Sequence, residues 1–93
     1  MLSQIPINLE KIKQEDVDKQ ILRTGMMAEL DAVSLYEQMA DMTQSKNIKK
    51  VLLDIAKEEK THVGEFEALL FKEDKEQAKE TEEGKKEVGE LLE

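Results

Sequence analysis

Residues 58–66 read EEKTHVGEF, and their setting decides the fold. His62 is the only histidine and follows Glu59 by three positions. On a helix that spacing puts a carboxylate and an imidazole on one face, one turn apart. The pair continues an apolar series at steps of three and four. Ile48, Val51, Leu52 and Ile55 precede it, and Phe66, Leu69 and Leu70 follow. This periodicity predicts an amphipathic helix over about residues 47–71, with the polar pair inside its apolar stripe. Lys49, Lys50, Lys57 and Lys60 fall mostly on other faces.

Upstream, a second helical pattern runs over about residues 14–44. Its stripe is Ile21, Leu22, Met26, Val33, Tyr36, Met39 and Ala40, and Glu29 lies on it. Glu15, Asp16 and Asp18 put negative charge at the start, where the helix dipole favours it. Gly25 interrupts the stripe at a cost of about 1 kcal/mol relative to alanine, which predicts close approach of another backbone. Ser45-Lys46-Asn47 forms the break between the two patterns, with residue types suited to a turn and an N-cap. So short a connection makes the pair an antiparallel hairpin.

The remaining chain is less patterned. Residues 1–13 read as an irregular lead-in, where Pro6 and Asn8 interrupt the apolar set Leu2, Ile5, Ile7 and Leu9. Residues 73–93 form a charged helix or tail. With Gly84 and Gly89 it reads as one or two short helical pieces, over about 74–83 and 85–92, with Val88, Leu91 and Leu92 as a small apolar handle.

Composition narrows the function. The fold class is all-α, because 39% of the 93 residues are charged and 3% aromatic, a balance suited to long solvated helices. A net charge of −8 argues against a nucleic-acid partner, which requires a basic surface. No apolar run approaches the roughly 18 residues of a membrane span. The absence of cysteine excludes thiolate catalysis, zinc–thiolate and iron–sulfur sites. It fits a reducing compartment. The N-terminus lacks the features of a signal peptide, so the expected location is cytoplasmic.

In the hairpin, residues equidistant from the turn face each other. Glu29, Glu59 and His62 then share one level, about 24 Å from the tip at 1.5 Å per residue. One chain offers two carboxylates and one imidazole. A carboxylate-bridged di-metal site takes one Glu from each of two helices and Glu-x-x-His from each of two others. This chain holds half that set, and a two-fold axis would supply the rest. Oxygen and imidazole ligands suit iron, manganese or zinc. The alternative is a non-enzymatic helical oligomerisation module, with the cluster a buried polar network that fixes register. Tyr36, two turns beyond Glu29, reads first as a packing aromatic. Asp31, Glu58 and Glu65 read first as a solvated acidic face. The methionines, among them Met26, Met27, Met39 and Met42, read as core filler.

The segments ILRTGMMAELDAVSLYEQMAD and VLLDIAKEEKTHVGEFEALL resemble the encapsulated ferritins of the ferritin-like superfamily. The resemblance covers about residues 15–72 and rests on AELDAVSLYEQMA around Glu29 and AKEEKTHVGEF around Glu59 and His62. It implies hairpins that dimerise into a four-helix di-iron site and assemble further into a decameric ring of dimers. It implies a ferroxidase that oxidises ferrous iron with dioxygen inside an encapsulin shell, as cargo or as a fusion to the shell protein. On this resemblance Glu29, Glu59 and His62 are iron ligands and Tyr36 sits close to the metal. Some members carry an acidic residue where this chain has Ala28, and some a tryptophan where it has Leu35, which leaves Asp31 as the candidate for iron entry. The VGELLE end does not resemble a shell-targeting tail, so an excised N-terminal domain of a fusion is one expectation. A rubrerythrin-like peroxide reductase is the other enzymatic reading. The lack of a cysteine centre to feed electrons counts against it.

Overall fold

A computed structural model describes residues 8–11 and 13–93. Leu2, Ile5, Pro6 and Ile7 of the lead-in lie outside the described residues. Leu9–Lys11 and Gln14–Asp16 form single 3-10 turns. The second runs directly into α1, Val17–Met42, followed by α2, Lys46–Glu73, and α3, Lys75–Leu92. No strand occurs among the described residues.

The helices α1 and α2 pack as an antiparallel hairpin. Their connection is Thr43-Gln44-Ser45, two residues earlier than the sequence suggested. Local hydrogen bonds hold it. The Thr43 N–H donates to the Met39 carbonyl (3.2 Å), and the Ser45 N–H donates to Thr43 Oγ1 (3.1 Å). Ser45 is the N-cap of α2, its hydroxyl accepting from the Ile48 N–H at 3.2 Å. That contact satisfies one of the amides a helix start leaves unpaired.

Val33, Ala40, Ala56 and Leu70 form the buried core among the described residues. Two of the four are alanines, which let the helix backbones approach closely. The rest of the stripe is half-covered or exposed. Ile48 and Val51, expected inside the hairpin, are 53% and 58% exposed. Ile21 and Leu69 stay 45% and 51% exposed. The molecule is a plate of 46 × 44 × 19 Å, about two helix diameters thick, with no room for an internal mineral cavity.

The C-terminal segment, expected as one or two short pieces, is one continuous helix. Neither Gly84 nor Gly89 has a positive φ. The glutamates and lysines around them favour helix enough to carry the chain through, with Lys85 Nζ 3.1 Å from Glu82 Oε1. Asp74 sets the direction of α3. Its N–H donates to the Leu70 carbonyl (2.8 Å), closing α2. Its carboxylate accepts from the Gln77 N–H (3.0 Å), opening α3, and from Arg23 Nη2 of α1 (2.8 Å).

The Gln77 amide holds the Asp74 carboxyl below the ordinary aspartate value; burial opposes it, and the Arg23 guanidinium adds a further lowering. A lowered folded value means that stability is present above the ordinary aspartate value and is lost as pH falls through the lowered one. The α3 amides are therefore expected to lose hydrogen-exchange protection on acidification before those of the α1–α2 hairpin. Equal loss in α3 and the hairpin would contradict this role for Asp74.

Candidate metal centre

The helix period carries Glu59 and His62 to one side of α2, and the hairpin register brings Glu29 of α1 opposite them. His62 Nδ1 lies 3.3 Å from Glu29 Oε2 and 3.4 Å from Glu59 Oε2. One ligand atom from each of the three lies within 4.8 Å of the others. The two carboxylate side chains are 21% and 18% exposed, and the imidazole is 43% exposed. The group is thus sheltered by the hairpin yet open on the imidazole side.

The charge balance fits a cation. One ring nitrogen faces two carboxylate oxygens and can donate at most one proton between them. Among the described residues neither carboxylate pairs with a lysine or arginine. The neighbouring Lys60 instead reaches Glu37, at 3.5 Å. Two partly buried carboxylates with so little compensation repel each other, and a divalent ion would relieve that repulsion. The residues form a possible metal-binding group of hard oxygen ligands and one imidazole.

Beside the group lies a cleft of about 330 Å³ lined by Glu29, His62, Glu65, Phe66 and Leu69. Glu65, first read as part of a solvated face, is exposed at the edge of this cleft. Phe66 and Leu69 were legible only as stripe residues. Their spacing of four and seven from His62 is the signal that puts them on its face. Gly25 also has a different partner from the one expected. The close approach is made by the Phe66 ring and not by another backbone.

The structure does not bring every sequence candidate to the group. Tyr36 is half-buried two turns along α1 and makes no hydrogen bond to the three residues. Asp31, also half-buried, projects about 200° around α1 from Glu29 at 3.6 residues per turn. A second cleft, about 370 Å³, lies where α1 and α2 meet α3. Met26, Met27, Leu30, Leu70 and Phe71 supply most of its wall. Among the described residues it holds no group of metal-ligating side chains. No helix of the described residues is long and apolar enough to cross a membrane.

Comparison with known proteins places the chain. It is 51% identical over 85 residues to a ferritin-like–encapsulin shell fusion protein of Pyrococcus furiosus. That match covers 91% of this chain and 25% of the fusion protein. It is 37% identical over 57 residues to the encapsulin nanocompartment cargo protein EncC of Myxococcus xanthus, covering 61% of this chain and 44% of that protein. The chain therefore spans about a quarter of the first relative and under half of the second. The crystal structure of an encapsulated ferritin domain from Pyrococcus furiosus superposes with a TM-score of 0.82 at 49% identity. The superposition covers 98% of this chain and 95% of that one. The family model for EncFtn-like proteins matches residues 4–84. On that match, and with the fold it shares with the encapsulated ferritin domain, the chain belongs to the EncFtn-like family.

Proposed function

We propose that this chain is a ferroxidase that works as a dimer and supplies ferric iron to an encapsulin nanocompartment. The observation that carries the reading is the convergence of Glu29, Glu59 and His62 at one level of the hairpin, within 4.8 Å of one another. Two such half-sets across a two-fold axis make four carboxylates and two imidazoles, the complement of a di-iron carboxylate site. The exposed Ile21 and Leu69 beside the cleft supply apolar surface for the second copy. Further association into a decameric ring of dimers follows from the family resemblance.

Ferrous iron is the substrate. The carboxylates of Glu29 and Glu59 attract it and favour its oxidised form, because a harder, more highly charged ion gains more from anionic oxygen ligands. His62 completes the set with a neutral nitrogen. Each ferrous ion gives up one electron, and dioxygen accepts them with protons from solvent. The 19 Å plate has no internal store, so ferric iron leaves for a surrounding compartment. The relatives named for encapsulin shell and cargo support the lumen of such a shell as the place of work, with this chain as cargo or as part of a shell fusion.

The test is oxygen uptake by the wild-type chain under ferrous iron, with peroxide as the competing oxidant. Uptake in proportion to iron added is expected. Reaction with peroxide alone would replace the proposal with a rubrerythrin-like peroxide reductase.

A further inference from the structure

The Glu29–His62 contact has a neighbouring contact one helical turn away. Gly25 precedes Glu29 by four residues, and Phe66 follows His62 by four. In an antiparallel hairpin these two pairs stack as consecutive rungs. A Cβ added at Gly25 would lie 2.6 Å from Phe66 Cε1 and 2.8 Å from its Cδ1 and Cζ. One edge of the ring therefore rests on the α1 backbone, in space that any side chain at position 25 would occupy. Gly64, Gly84 and Gly89 have nothing within 4 Å of such an added atom. Of the four glycines, Gly25 alone makes such a contact, on the rung beside the candidate metal centre. An interior glycine is disfavoured in a helix, so its place here calls for a compensating gain.

The same ring lines the cleft that Glu29 and His62 open into. We infer that Phe66, seated on Gly25, is a positioning residue for the metal centre. Its ring fixes the separation of α1 and α2 one turn from the ligands and walls the cleft on that side. The imidazole and the Glu29 carboxylate are thereby held facing each other before a cation arrives. Preset ligand orientation raises metal affinity without any added ligand. A methyl group at position 25 would drive the ring into the cleft or away from α1, and either movement disturbs the facing pair. The inference rests on Glu29, Glu59 and His62 being the cation ligands.

A double-mutant cycle on Co(II) binding tests it. Cobalt is a divalent probe whose visible absorption reports ligand geometry. The four proteins are the wild type, Gly25→Ala, Phe66→Leu and the double variant, each checked for helicity by circular dichroism. Gly25→Ala is expected to weaken Co(II) binding roughly tenfold and to alter the spectrum, with helicity retained. In the Phe66→Leu background the same substitution should cost almost nothing, because the smaller side chain leaves room for the methyl group. Equal costs in both backgrounds, or no cost in either, would overturn the role of the ring. Should Gly25→Ala fail to fold, Phe66→Leu alone decides. Weaker cobalt binding at wild-type helicity supports the inference, and unchanged binding overturns it. A wild-type protein that binds no Co(II) overturns the metal centre itself, and this role with it.

Discussion

Glu59→Ala and His62→Ala are each expected to lower iron-dependent oxygen consumption to the background rate of iron in buffer. Outer partners of metal ligands typically cost 10–100-fold when removed, and a ligand itself should cost at least about a hundredfold. The effect doubles by symmetry, because each substitution removes a group from both halves of the site. Unfolding does not explain such a loss. Without metal, Glu29 and Glu59 share one imidazole nitrogen at 3.3 and 3.4 Å, so deleting one carboxylate relieves a repulsion. The metal-free Glu59→Ala protein should melt no lower than the wild type. The difference should appear when a cation is added. A ligand at 100 times its Kd stabilises the native state by about 2.7 kcal/mol, and the variant should gain almost none of this. Wild-type oxygen consumption in both variants would remove Glu59 and His62 from the chemistry.

Ile21→Asp is expected to abolish the same activity without touching a ligand. Ile21 lies two turns before Glu29, 45% exposed, in a hollow it shares with Leu69 at the edge of the cleft. In an isolated chain such a surface substitution changes stability by roughly 0.5 kcal/mol or less. Across a two-fold axis it would bury an unpaired carboxylate, at a cost of about 3–5 kcal/mol. Each 1.4 kcal/mol is about tenfold in affinity, so one such carboxylate alone should weaken the dimer by some two to three orders of magnitude, and the two-fold axis supplies two. Light scattering should then find a smaller species, and oxygen consumption should recover as protein concentration rises. A monomeric variant with wild-type specific activity would contradict a site shared between two chains.

The hairpin and the convergence of Glu29, Glu59 and His62 were legible in the sequence because both follow from the helix period. A stripe at steps of three and four fixes which residues share a face. One short break fixes which residues stand opposite. What the stripe does not say is what covers it. Ile48 and Val51 belong to it, yet they stay more than half exposed in the single chain, since a period carries no record of the partner. Gly25 announced a close approach, but the identity of the other side, Phe66, depended on register to within one residue across the hairpin. The continuity of α3 was left open for a different reason. Two glycines weaken a helix by a modest amount that flanking glutamate and lysine offset, and Asp74 caps the start through contacts that come partly from α1.

Crystals of the protein grown with ferrous iron, with diffraction data collected at the iron absorption edge, test the shared metal centre most directly. The expected result is strong anomalous density at a two-fold axis, bounded by Glu29, Glu59 and His62 of one chain and the same residues of its mate. Absence of anomalous density there, or density enclosed by a single chain, would contradict it.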